Sequence, residues 1–189
     1  MGNYKKQINI DHILKFNIEN IKKSLSDPKN GLPQELFYFI SELTPMINLD
    51  LLIKDPLKGT LLTWRQDQFY GPAWHIPGGI IRFKESIETR IKEVAKTELG
   101  IDQIKFHPSP IFVSEKMNPN RNIRGHFISL LYLCEIFNEP CKELQYNSGQ
   151  IRPGDWQWHS VCPENILSVH DSFKIFINQS AEEILCTRS

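Results

Sequence analysis

The chain contains no C-x-x-C pair and only four cysteines, Cys134, Cys141, Cys162 and Cys186. That spacing argues against a structural zinc site and sets up no disulfide framework, so the thiols read as buried or incidental groups of a reducing compartment. Charge of one sign is also missing. The 22 Lys+Arg balance the 22 Asp+Glu, so composition supports neither a nucleic-acid nor an anionic-membrane partner, and any phosphate site must be local. No apolar run reaches the length of a membrane span, and the start MGNYKKQINI has no apolar signal core. Lys6 stands where a myristoylation signal needs Ser or Thr, which leaves a soluble cytoplasmic protein with no membrane contact as the expectation. Repeats and low-complexity segments are absent, and 189 residues suit one domain with a small extension and an unstapled core.

What the chain does have is a marked stretch from Trp74 to Ile101, WHIPGGIIRFKESIETRIKEVAKTELGI. Pro77 fixes its own φ and holds His75-Ile76 extended. Gly78 and Gly79, with no Cβ, are free to take positive φ in a tight turn and let a ligand approach the backbone. The sequence predicts a helix over residues 86–99, with Ser86 as N-cap and Gly100 where a left-handed residue is wanted. At helical spacing Ile87, Ile91, Val94 and Ala95 share one stripe and Glu98 falls in the middle of it, while Glu88, Lys92, Glu93 and Lys96 face away. An inward carboxylate needs a cation, a strong donor or a metal. An arginine partner, or a last turn frayed into solvent, is the alternative. Glu85, just before the helix, is the second acid within reach of the glycine turn.

Ahead of this stretch, Ile10, Ile13, Leu14, Ile18, Ile21 and Leu25 keep helical spacing over residues 8–26, and Asp27-Pro28-Lys29-Asn30-Gly31 ends that helix, which reads as a packing or dimer-forming element. A second helix over 33–43, with Pro33 in its first turn, is expected to bury Leu36, Phe37, Phe39 and Ile40. From Met46 the period becomes two: Ile47, Leu49, Leu51 and Ile53 alternate, a turn follows, and residues 60–64 return as a strand ending at Arg65. Residues 66–74 form a loop that delivers Trp74. Strands are expected over 110–114, 127–136 and 155–160, with a basic loop of Lys116, Arg121 and Arg124 between the first two. A closing helix over 163–179 turns Leu167, Phe173, Phe176 and Ile177 inward. Mixed strands with one central and one terminal helix suit an α/β fold, an α/β/α sandwich around a mixed β-sheet.

Trp74-x-x-Pro77-Gly78-Gly79, then five residues to Glu85, then Glu98-x-Gly100-Ile101, resembles the box of the Nudix hydrolases. Three positions depart from it: Glu93 stands where the box has Arg, Val94 where it has Glu, and Thr97 where it has the first acid of the final pair. One branch, the GDP-mannose mannosyl hydrolases, is similar in the same losses. It also shares landmarks in order over roughly residues 32–178: Thr44-Pro45 leading to Leu49-Asp50, the spacing from Arg65 to Gly78, the ending TELG, and Val169-His170. The resemblance implies a Nudix-type sandwich over residues 32–189, with an N-terminal helical extension over 1–31. It also implies a homodimer and a nucleoside diphosphate sugar, GDP-mannose-like, as substrate. In that branch a turn carbonyl, the last box Glu and a distant Gln hold one magnesium, which corresponds to Gly79, Glu98 and Gln150; manganese is the other hard cation such a set takes.

Arg65, at a strand end beside the turn, is the best planar fork for diphosphate oxygens, and Arg82 is the second choice. Asp50 and Arg124 complete the candidate substrate-binding set. The catalytic candidates are Arg65, Glu85, His126 and His159. The two histidines enter because Ile151 follows Gln150 where the branch has its base, which leaves these as the available imidazoles. Ile80 and Glu93 replace two further arginines of the branch. Three readings stay open: hydrolysis of a nucleoside diphosphate sugar at carbon or phosphorus, pyrophosphohydrolysis of another nucleoside diphosphate derivative, and a nucleotide-binding domain without chemistry.

Overall fold

The computed structural model describes residues 10–187. Strand β1 (Met46–Asp55) is the axis of the sheet. It runs parallel to β7 (His126–Ile136) from Met46↔Phe127 to Ile53↔Cys134, antiparallel to β4 (Gly78–Ile80), and touches β2 (Gly59–Arg65) only at Lys54↔Thr60 and Asp55↔Gly59. Strand β2 in turn carries β3 (Ala73–His75) and β8 (Trp156–His159), and β7 carries β5 (Ile104–Phe106) and β6 (Phe112–Met117). The result is one eight-stranded mixed sheet.

Both faces of β1 are covered, so its alternation sorts side chains into two cores. Leu49, Leu51 and Ile53 pack with Ile91, Val94, Ala95 and Leu99 of α3 (Ile87–Leu99). Leu52 packs on the other face with Phe173, Ile177 and Ile184 of the C-terminal segment. Each fully buried Leu or Ile contributes about 1.5–3 kcal/mol, so the two clusters together define the α/β/α sandwich. Asp50 and Lys54 share the parity of Leu52 and are carried to the C-terminal face. Lys54 is satisfied there: its Nζ donates to Thr60 Oγ1 at 2.7 Å and to the Ile177 carbonyl at 2.8 Å, fastening α4 (Lys174–Asn178) to the sheet.

Three expectations change at the edges. Helix α1 (Ile10–Ser24) buries no residue, with Ile10 75% and Phe16 60% exposed; residues 8 and 9 of the expected helix lie outside the described residues. Helix α2 (Gln34–Leu43) buries only Ser41, and Phe39 is exposed, because the helix braces a loop and not the core. Its Tyr38 hydroxyl accepts from Gln68 Nε2 at 2.8 Å, and Ser41 Oγ accepts the Arg124 amide at 3.0 Å. The single closing helix is broken into a 3-10 stretch (Ser168–Phe173), α4, and α5 (Ala181–Cys186). Backbone bonds Trp74 N–H to Asn165 O and Leu167 N–H to Trp74 O hold the chain extended along β3, and the Ser180–Glu183 capping box starts a new helix. The short β5 falls between expected elements.

Candidate active site

Helix α3 forms where the sequence predicts it. Ser86 Oγ accepts the Thr89 amide at 3.1 Å, a cap worth about 1 kcal/mol, and Gly100 closes the helix at φ 69°. Glu98 points inward from the last turn, and its Oε1 accepts the Gly78 N–H at 3.3 Å. Burial raises its carboxyl to about 7; the Gly78 amide and Arg65 oppose that shift and Asp50 adds to it. Ile87 is more exposed than its stripe position suggests, and the residue that turns inward one helical turn before Val94 is Arg90.

The two glycines do not make a left-handed turn. They lie in β4, and a Cβ on Gly78 would stand 2.6 Å from Asp50 Oδ1 and from Leu49 O, while one on Gly79 would stand 2.9 Å from Val94 Cγ2. Their smallness lets β4 wedge between β1 and α3. The register decides which carbonyl is free. Leu51 donates to Pro77 O at 2.8 Å and Ile81 to Ile47 O at 3.0 Å, so the Leu49↔Gly79 pair between them is a hydrogen-bonded pair of the antiparallel ladder and Asp50↔Gly78 is not. Gly79 is therefore engaged with Leu49. The amide and carbonyl of Gly78 turn off the ladder, the amide to Glu98. Gly78, not Gly79, offers the free carbonyl beside Glu98.

Glu85 is not free for a ligand. Arg90 Nε and Nη2 grip its carboxylate at 2.8 and 2.7 Å in a bidentate pair, with side chains only 9% and 8% exposed, and the Arg82 amide donates to it at 2.8 Å. Arg90 thus holds the loop between β4 and α3, with Glu93 facing solvent one turn later. Sequence reasoning missed Arg90. The available signal was its position on the Ile91–Val94 side of the helix, five residues after Glu85.

A cleft of about 820 Å³ lies over this floor, lined by Glu98, Gly78, Arg65, Arg82, Arg90 and Arg124 among others, and bounded by residues of the 28–32 linker. Arg65 donates from Nε to Asp67 Oδ2 at 2.7 Å and stacks on Tyr70 with 4.4 Å to the ring centroid. Arg82 is exposed on the rim. Asp50 sits behind Gly78, 2% exposed. It accepts from Asn48 Nδ2 at 3.0 Å and from Ser129 Oγ, and its carboxyl is raised to about 6 by burial against those bonds.

Three other candidates lie elsewhere. Gln150 is exposed in its loop and does not line the cleft, so it is not beside Glu98. His126 opens β7 opposite Met117 of β6, where its Nε2 pairs with Glu115 at 2.9 Å. His159 faces the Trp74 ring at 4.6 Å from β8, with its imidazole lowered to about 4 by burial. Neither histidine lines the cleft. Of the other imidazoles, His75 lines the cleft and His170 lies behind it against Asp50, and both are engaged. His75 Nδ1 is 2.7 Å from Ile76 O, which makes it the protonated nitrogen, and Nε2 accepts from Thr63 Oγ1 at 3.1 Å. His170 Nδ1 accepts the Ile76 amide at 3.1 Å, leaving Nε2–H directed at Asp50 Oδ1, 3.6 Å away. Burial lowers the pKa of both rings, so both are neutral.

The donor set fits one hard cation. Glu98 is a half-buried carboxylate with a single long amide contact, beside a free backbone carbonyl. Among the described residues no group of three His, Cys, Asp or Glu converges as a transition-metal site would require. Magnesium, which keeps several waters and takes one or two protein oxygens together with substrate phosphates, suits that sparse set.

Comparison with solved structures shows that this arrangement of strands and helices is similar to the fold of Nudix hydrolases. The chain superimposes on a UDP-X diphosphatase (TM-score 0.54, 14% identity, 94% of this chain and 81% of that one). It also superimposes on a Nudix-family hydrolase from Clostridium perfringens (TM-score 0.53, 15% identity, 77% and 99%), and on the MutT protein of Methanosarcina mazei (TM-score 0.53, 15% identity, 77% and 97%). At these identities the likeness is one of fold. No protein-family model matches the chain. Among curated proteins, the low-salt glycan biosynthesis protein Agl8 of Haloferax volcanii is 29% identical over 75 residues, 40% of this chain and 47% of Agl8. The chain therefore spans about half the length of the curated relative it matches.

Proposed function

We propose that the chain is a magnesium-dependent hydrolase of a nucleoside diphosphate sugar, GDP-mannose-like, with the diphosphate lying over Glu98. The observation that carries this reading is Glu98 itself: a carboxylate raised to about 7 and short of a cation, set in the floor of a cleft that Arg65, Arg82 and Arg124 also line. Glu98 and the Gly78 carbonyl would hold the cation, with manganese as the alternative ion. Bound there, it supplies charge neutralisation of the diphosphate and makes it a better leaving group. Arg65 presents its guanidinium plane, oriented by Asp67 and Tyr70, to the same oxygens. Arg90 keeps Glu85 and the loop in place. The sugar is supported by the matched relative, a glycan biosynthesis protein by name.

Hydrolysis at phosphorus is the second reading, and one observation favours it. Water attacking a sugar carbon needs a base, yet His126 and His159 lie off the cleft and His75 and His170 are both engaged. Product analysis in oxygen-18 water, on a panel of nucleoside diphosphate sugars and other nucleoside diphosphate derivatives, tests both. Label in free sugar means carbon attack, and label in a phosphate means phosphorus attack. If no panel member is hydrolysed with magnesium or manganese, the hydrolase reading falls and a binding domain remains.

A further inference from the structure

The cleft opens into a smaller chamber of about 70 Å³ that shares Asn48, Arg65, His75, Gly78 and Arg124 with it. In a chain whose formal charges cancel, this chamber is one-sided: Arg65, Lys116, Arg121 and Arg124 line it against one carboxylate, Asp50. Asp50 is already occupied by Ser129 and Asn48. Among the described residues, none of Lys116, Arg121 and Arg124 has a carboxylate within ion-pair distance.

The three cations differ in what they have left to give. Arg121 holds the loop together, donating to Phe69 O at 2.8 Å, the Tyr70 hydroxyl at 2.6 Å and Arg124 O at 2.9 Å. Arg124 is pinned by its backbone, at φ 54° with its amide on Ser41 Oγ. Its guanidinium lies among Phe37, Phe69 and Tyr70, 5.3 to 5.7 Å from their centroids, and its buried Nε has no partner. An aromatic floor leaves the N–H edge of a guanidinium available. Lys116 rests over the Phe173 ring at 4.0 Å and donates to Ser172 Oγ, with Asp50 and Asp171 acting on its charge from beyond ion-pair distance. Partly desolvated cations that outnumber the nearby carboxylates repel one another, as Arg65 and Arg121 do Arg124, and an oxyanion between them is the group that relieves this.

We propose that this chamber takes a compact oxyanion on the part of the substrate beyond the diphosphate. A carboxylate on the sugar, as in a nucleoside diphosphate uronate, and a further phosphate in its place share that chemistry. The assignment rests on reading the cleft as a diphosphate site.

The test is titration calorimetry in EDTA, where turnover cannot occur, with UDP-glucose against UDP-glucuronate, GDP-mannose against GDP-mannuronate, and UDP against UTP. Expected is at least a ten-fold tighter Kd for the acidic member of a sugar pair, or for UTP over UDP; which pair responds identifies the oxyanion. Lys116→Met should abolish that preference while leaving the neutral-sugar Kd unchanged, and Lys116→Arg should keep it. Equal Kd values across all three pairs would overturn the proposal, as would a preference that survives Lys116→Met. Failure of the diphosphate reading is distinguishable, because UDP and GDP then fail to bind with magnesium present as well as in EDTA. In that case glucuronate 1-phosphate against glucose 1-phosphate probes the chamber alone, and equal binding of those two overturns it as well.

Discussion

Glu98→Gln should make the metal-free protein more stable while removing its response to magnesium. The native carboxyl is raised from 4.5 to about 7 by burial, so the folded state holds that proton more tightly than the unfolded chain does. The stability this provides is fully present below about pH 4.5 and is lost as pH rises through about 7. At about 1.4 kcal/mol per pH unit, the wild type at pH 8 carries a cost of about 3 kcal/mol. Water in the open cleft screens part of it, so about 2 kcal/mol is the figure to test. Gln keeps the shape, still accepts the Gly78 N–H and never ionises. Thermal unfolding at pH 8 in EDTA should therefore place the variant above wild type by about 4–8 °C, the gap closing toward pH 4.5. Added magnesium should raise the wild-type Tm and leave the variant where it was. A variant less stable than wild type at pH 8 without metal would refute the reasoning, since Glu98 would then carry no burial cost for a cation to relieve.

Arg90→Met strands the Glu85 carboxylate in a site 8% exposed and should cost about 3–5 kcal/mol in urea unfolding, with Arg90→Met/Glu85→Leu recovering at least half; strictly additive losses would mean the two residues do not act as a pair. Arg65→Lys should lower kcat/KM by roughly ten-fold or more, because a point charge cannot reproduce a planar fork; equal turnover would leave Arg65 with only its structural bond to Asp67. Magnesium alone should bind weakly, with a Kd of order millimolar by calorimetry, and at least ten-fold more tightly in the presence of a non-hydrolysable nucleoside diphosphate sugar; tight binding of the free ion would require protein ligands not seen here. The exposed stripe of α1 should hold a homodimer that light scattering at micromolar concentration detects and Ile13→Glu/Ile21→Glu dissolves, and a monomeric wild type would end that idea.

Glu98 was legible because direction on a regular helix follows from position alone, and α3 is bounded by a side-chain cap at Ser86 and a left-handed Gly100. The alternation of Leu49, Leu51 and Ile53 was legible for the same reason with a period of two. Arg90 was not. Periodicity weighs apolar residues, and an arginine on the inner face is indistinguishable from noise until its partner Glu85 is placed beside it. The glycines misled because sequence shows only that Gly78 and Gly79 permit positive φ. Whether they use it depends on pairing with β1, a contact made across thirty residues of chain. The histidines mislead more thoroughly: residue type alone points to His126 and His159, whereas His75 and His170, whose rings lie 6.1 Å apart in the fold, meet only because residues 165–167 are stitched to β3.

These differences bear on how the site can work. Glu88 is tied to Lys92 at the surface, Glu93 faces solvent, and Glu85 is neutralised by Arg90, so of the acids near the box only Glu98 presents charge to the cleft. One carboxylate and one carbonyl leave most of a hard cation's coordination to water and substrate oxygens, which couples ion binding to substrate binding. The arginines gain importance accordingly. Arg65 is paired with Asp67, whereas Arg82 and Arg124 have no carboxylate within ion-pair distance among the described residues, so these two would supply much of the attraction for a multiply anionic ligand. Under the proposed reading, guanidinium groups would take over part of the charge stabilisation that acids on a metal otherwise give, and the chamber behind Gly78, lined by Lys116, Arg121 and Arg124, would continue the same trend.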